Sequence, residues 1–184
     1  MSSFYQTFQL QFPNYDSLSL NKAGSSLQKP ELKKIILSFS TKETNYKKLA
    51  YLSFTLKLVT GLKSRILTAK SSNVNLKIRK GSPVGCQVIL RKSESKKFFL
   101  KNLCLVFPNL KRFEKLKTSN KIQQSNSLSF FIENLLLFPE LENKYELFQK
   151  QKLPKLNITL ITIAKNSQEL QNILTSLGYP TKIT

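Results

Sequence analysis

The side chains that do covalent chemistry in proteins are nearly missing from this 184-residue chain. It has no histidine, which removes the commonest general base, the serine and cysteine triads and most zinc sites. Asp16 is its one aspartate and lies in an irregular N-terminal stretch. Two cysteines, Cys86 and Cys104, cannot complete a structural zinc site by themselves. Both have apolar neighbours and lie far apart in sequence. Small buried hydrophobes in a reducing compartment are therefore expected, rather than a disulfide. Glu140, Glu142 and Glu146 form the one acidic cluster, where a solvated surface is expected instead of a metal or acid–base site. Glycines at 24, 61, 81, 85 and 178 are too dispersed for a phosphate-cradling loop. The expectation is a protein without catalytic residue, metal or cofactor.

What the chain has in excess is groups that hold anions. Residues 77–86 read Lys-Ile-Arg-Lys-Gly-Ser-Pro-Val-Gly-Cys. Before the glycine, Val74, Leu76 and Ile78 alternate with Lys77 and Arg79, the pattern of a half-buried strand. Residues 81–83 turn the chain, and Val84, Cys86, Val88 and Leu90 alternate beyond them. The spacing predicts a hairpin that buries an apolar side and presents a basic one. A merely solvated lysine face would read the same way, so the placement of charge decides. The formal net charge is +20. Residues 57–121 carry 17 Lys or Arg against two acids, residues 1–56 seven against three, and residues 122–184 six against five. Such concentration argues for a binding face, and self-repulsion on this scale calls for a polyanionic partner, most commonly nucleic acid. Lysine supplies 26 of the 30 bases; only Arg65, Arg79, Arg91 and Arg112 are arginine. Lysine acts as a point charge on phosphate, so backbone and shape recognition is expected rather than the reading of base edges.

These groups need elements to position them. Leu32–Ser40 reads as a strand with Ile35, Leu37 and Phe39 on one face, and residues 45–60 as a helix through Leu49, Leu52, Leu56 and Val59, closed by Gly61. After the hairpin, Ser93 opens a second helix through Phe98, Phe99, Leu103 and Val106, halted at Pro108. Residues 111–126 are polar and loop-like. Leu128, Phe130 and Ile132 form a strand, and residues 156–164 are apolar enough for a central strand buried on both faces. A last helix runs from a capping box at Asn166 and Glu169, through Leu170, Ile173, Leu174 and Leu177, to Gly178 and Pro180. The fold class is α+β: an antiparallel or mixed sheet with helices on one face and a long protruding basic hairpin loop. Residues 1–30 read as an irregular N-terminal extension and residues 31–184 as one nucleic-acid-binding domain, an RNA-binding one by the resemblance given next. The extension has only two lysines, no arginine and no continuous apolar core, so neither a transit nor a signal peptide is expected; no run of 18 apolar residues spans a membrane.

Several ordered segments give the chain a resemblance to bacterial-type large-subunit ribosomal protein number five. They are residues 30–35, 60–63, 67–70, 77–86, 88–91, 107–113, 138–140, 157–165 and 177–180, and together they extend over about residues 30–182 in the family's order. The resemblance implies a sheet with helices on one face and a place on the central protuberance of the large subunit. It also implies contacts with large-subunit rRNA, 5S rRNA, the elbow of the P-site tRNA, neighbouring protuberance proteins and a small-subunit protein across an intersubunit bridge. Carried onto this chain, the tRNA-facing loop comprises Ser72, Asn73, Asn75, Lys77, Arg79, Lys80 and Gly81. The resemblance implies that Lys77, Arg79 and Lys80 meet tRNA phosphates, while Gly81 and Pro83 shape the turn. The bland alternative is that these cations only hold neighbouring rRNA. Candidate rRNA contacts are Lys33, Lys34, Ser38, Lys63, Arg65, Lys70, Arg91, Lys92, Lys111 and Arg112.

The chain departs from the family where polar residues approach 5S rRNA: Ser38, Leu62 and Ile89 stand where Asn, Gln and Thr are usual. Leucine and isoleucine cannot make those hydrogen bonds, so 5S rRNA contact follows less directly than ribosome membership. Residues 125–127 replace a glycine-rich loop, and residues 73–75 are larger than is usual at the hairpin tip. Divergence and the Lys-, Asn-, Ile- and Phe-rich composition of an AT-rich genome point to an organelle-encoded mitochondrial protein ahead of a plastid or bacterial one. An organellar DNA-packaging or general RNA-binding protein outside the ribosome is the alternative; it accounts for the charge but not for the ordered segments.

Overall fold

The computed structural model describes residues 32–41, 45–110, 127–148 and 153–163, together with Leu170 and Leu174. In chain order the elements are β1 (Leu32–Ser40), α1 (Tyr46–Thr60), β2 (Arg65–Thr68), β3 (Pro83–Arg91) and α2 (Lys92–Lys101). A π-helical turn, Asn102–Val106, extends α2. Then come β4 (Ser127–Ile132), a 3-10 turn (Leu135–Leu137), the short helices α3 (Pro139–Glu142) and α4 (Tyr145–Phe148), and β5 (Leu156–Thr162). The five strands form one sheet in the order β2-β3-β1-β5-β4, every neighbouring pair antiparallel. This is the expected α+β class.

Alternation builds the core. Ile35, Leu37 and Phe39 of β1, Cys86, Val88 and Leu90 of β3, Leu128, Phe130 and Ile132 of β4, and Leu156, Ile158 and Leu160 of β5 are all buried. Against them pack Leu52, Leu56 and Val59 of α1 and Phe98 and Phe99 of α2. The Asn45 side chain accepts the Lys47 N–H and starts α1; Gly61, at φ 73°, ends it with its N–H on the Lys57 carbonyl. Leu170 and Leu174 of the last helix are buried, as its stripe requires. Residues 1–30, the loop over residues 111–126, and the caps of the last helix lie outside the described residues.

Three expectations need correction. Strand β5 is not buried on both faces: Leu156, Ile158, Leu160 and Thr162 are buried, whereas Asn157, Thr159 and Ile161 are half-buried. Its second face belongs to the open side of the sheet. Cys104 is exposed rather than buried. The cause is the π-helical turn, in which the Phe107 N–H donates to the Asn102 carbonyl at 2.9 Å. One extra residue in the turn rotates the following side chains, so Val106 and Phe107 face the core while Cys104 and Leu105 face out. Cys86 is buried, and burial pushes its thiol up to about 11 despite a hydrogen bond with the Phe39 backbone.

Third, the acidic cluster is not uniformly solvated. Lys101 Nζ meets Glu140 Oε1 at 2.5 Å, donates to the Val59 carbonyl at 3.0 Å and lies 5.6 Å from the centre of the Phe138 ring. Phe138 in turn stacks on Phe98, with ring centres 6.3 Å apart. Lys101 therefore ties α2 to the end of α1 and to α3, and one cation of the basic middle third is structural.

Candidate nucleic-acid interface

β2 and β3 are joined by residues 69–82, which form a narrow excursion with its own hydrogen bonds. At its base the Ala69 N–H donates to the Ser82 carbonyl and the Gly81 N–H to the Ala69 carbonyl, both at 2.9 Å. Nearer the tip, Asn73 and Ile78 exchange backbone bonds of 2.8 and 3.0 Å. The Lys77 N–H donates to the Val74 carbonyl, and Asn73 Oδ1 accepts the Leu76 N–H at 3.3 Å. Residues 74–77 are thus the apex, and Lys77 ends it at φ 53°. Gly81 is at φ 85° in a separate turn, in which the Ser82 N–H donates to the Arg79 carbonyl at 3.1 Å. That geometry suits glycine at the third turn position.

The turn expected at residues 81–83 is therefore real but is not the hairpin tip. Nor do residues 74–79 form a half-buried strand. Val74 is 88% exposed and Leu76 45% exposed; only Ile78 is half-buried. Among the described residues no core packs beneath these, so alternation has nothing to be buried against.

Lys70, Ser72, Asn73, Asn75, Lys77, Arg79, Lys80 and Gly81 are all exposed along it. The structure brings the loop residues named from sequence together as one projecting unit with four cations.

A second group lies on the sheet face opposite the core. Register aligns Arg65, Gln87, Ser38, Asn157 and Phe131 across all five strands. The next row is Ile89, Ile36, Thr159 and Ser129; the one after is Arg91, Lys34, Ile161 and Ser127. Ser129 and Thr159 hydroxyls meet at 2.9 Å, which fixes them on the same side. Ser38, Lys34, Arg65 and Arg91 thus share this face with Ile89. Leu62 does not: it packs against the core. Lys33 near the start of β1, Lys63 just before β2 and Lys92 at the start of α2 are exposed, whereas Lys111 and Arg112 lie outside the described residues. Sequence reading passed over Gln87, Asn157 and Phe131. Their signal was an outward position in otherwise apolar strands, legible only once register was known.

Gly85 sets how closely β3 and β1 approach. A Cβ there would lie 2.3 Å from the Phe39 carbonyl oxygen, so no other residue fits without moving backbone. The Gly-Cys step of the motif is a packing requirement as much as a turn signal.

Comparison with known proteins gives this geometry its context. A profile describing the C-terminus of the ribosomal L5 protein family matches residues 83–181. The large ribosomal subunit protein uL5m of Reclinomonas americana is 34% identical over 153 residues, covering 82% of both chains. The protein uL5 of Wigglesworthia glossinidia brevipalpis is 32% identical, covering 85% of this chain and 86% of its own. That of Thermotoga maritima is 33% identical over 84% and 83%. Matched by the profile over more than half its length and by relatives over more than four-fifths, the chain belongs to the uL5 family of large ribosomal subunit proteins.

Proposed function

We propose that this chain is a non-catalytic constituent of the central protuberance that anchors to rRNA through its sheet and strand ends and touches the P-site tRNA with residues 69–82. The observation that carries the tRNA contact is the projecting loop, on which Lys70, Lys77, Arg79 and Lys80 are exposed on a hydrogen-bonded frame. Lys77, Arg79 and Lys80 take the tRNA phosphates; Lys33, Lys34, Lys63, Arg65, Arg91 and Lys92, with Lys111 and Arg112, take rRNA. The open sheet face is the 5S rRNA surface in this reading. Ile89 sits within it and Leu62 packs inward, so its uncharged polar groups are Ser38, Gln87, Asn157, Ser127 and the Ser129–Thr159 pair. Contact there runs through shape and the flanking cations. A small-subunit protein across the bridge and neighbouring protuberance proteins complete the partners, in a mitochondrial ribosome.

The test replaces Lys77 and Arg79 together by alanine. Subunits carrying the variant should assemble and sediment normally, with weaker P-site tRNA binding and a log–log salt slope reduced by about 1.5, the loss of two phosphate contacts. Unchanged P-site occupancy would refute the tRNA contact. Fractionation of the protein with nucleoids rather than large subunits would refute the ribosomal placement and favour DNA packaging.

A further inference from the structure

We propose that Val74 and Leu76 form an apolar wedge at the loop apex that covers an exposed nucleobase face of the tRNA elbow. The proposal rests on the tRNA reading of this loop and adds a contact that cations cannot make.

All four residues of the apex are exposed, yet two of them are aliphatic. Val74 has almost its whole side chain in solvent, and Leu76 is exposed as well. They are held there. The Asn73–Ile78 pair, the Lys77 N–H on Val74 and the Asn73 side chain on the Leu76 N–H fix the turn around them. An aliphatic pair fixed in water at the end of a projecting loop suits an occupant with an apolar surface.

Charge restricts that occupant. No acid occurs between Glu43 and Glu94, and Lys70, Lys77, Arg79 and Lys80 are exposed on the same loop. The partner must present dense negative charge around a flat apolar patch, which describes an unstacked base or the open face of a terminal base pair. Leu and similar apolar side chains act as wedges against base faces when they enter between the base steps of DNA, and the same dispersion contact is available on an RNA base. The cations then neutralise phosphates while the aliphatic pair supplies a contact with no salt dependence.

Val74→Thr with Leu76→Asn separates the two contributions, because both side chains are exposed and every hydrogen bond at the apex involving these residues uses their backbone. Binding of deacylated tRNA to the P site of ribosomes carrying this variant is measured against salt, beside the Lys77→Ala/Arg79→Ala variant. The wedge variant should bind about tenfold more weakly, as expected for losing one aliphatic contact. Its salt slope should be unchanged, and bases at the elbow should become more reactive to chemical probes. Unchanged affinity in the wedge variant with weakened binding in the cation variant would overturn the wedge and leave the tRNA contact standing. No effect in either variant would overturn both. A loss accompanied by a lower salt slope would mean the pair only positions the cations, and a defect in subunit joining without tRNA would mean that it meets a protein; either result also overturns the wedge.

Discussion

Replacing Gly85 with alanine would displace the strand that carries the return arm of the loop. The new methyl carbon would stand 2.3 Å from the Phe39 carbonyl oxygen, where ordinary contact begins near 3.4 Å. The obstacle is backbone at the end of the β1–β3 ladder, beside its last pair Ser40–Gly85, so no side chain can rotate away. Overpacking of this kind costs about 1–3 kcal/mol. Alanine regains about 0.5–1 kcal/mol because a glycine strand residue loses more chain entropy on folding. With the strain taken near its upper limit, the net loss is about 2 kcal/mol, or about 4–8 °C in Tm for a chain of this size. The assay is thermal unfolding, paired with amide exchange at Thr41, whose N–H donates to the Val84 carbonyl at 2.8 Å beside the site. Gly81→Ala is the control: nothing lies within 4 Å of its Cβ, and only the backbone at φ +85° opposes it, costing about 1 kcal/mol. A Gly85→Ala protein that melts with the wild type and keeps Thr41 protected would refute the close approach.

Three further outcomes follow from groups described above. Lys101→Met should destabilise the chain by about 1–2 kcal/mol, because Glu140 and the Val59 carbonyl lose their cation in a mostly buried corner. Denaturant titration measures it, and adding Glu140→Gln should recover part of the loss while RNA binding is unaffected. In the native protein at pH 8, iodoacetamide should label the exposed Cys104 and leave Cys86 unmodified until unfolding. The Cys86 thiol is raised in the folded state from 9.0 to about 11, so the folded protein holds that proton more tightly. Its contribution to stability is complete below pH 9 and is lost as pH rises towards 11, which alkaline unfolding of Cys86→Ala should show as a shallower decline.

The elements that form the core were legible because burial leaves a period. Ile35, Leu37 and Phe39 on β1, and Leu49, Leu52, Leu56 and Val59 on α1, have a second layer against them, so hydrophobic spacing and structure coincide. The same rule misled at residues 74–78, where alternation exists but no layer lies beneath it. It misled again at Cys104, since a constant helical period cannot anticipate one extra residue in a π-helical turn. The cations of the candidate interface were legible as a charge excess, but not their division between loop, sheet face and the Lys101–Glu140 pair. The row from Arg65 to Phe131 was invisible for a different reason: it joins strands far apart in sequence through register alone.

That register has a consequence for the order of folding. β1 lies at the middle of the sheet, and its partners are β3 and the late strand β5, with Ile35 opposite Leu160. Until residues 156–162 leave the ribosome that makes them, β1 has one free edge and β4 has no partner in the sheet. Closing so long a loop is slow, and the early chain meanwhile exposes an apolar strand edge in a molecule of high positive charge. That edge favours pairing between nascent copies, a tendency that their like charge opposes until β5 covers it. Truncation before Leu156 would remove a central strand and yield an aggregating chain, not a smaller RNA binder.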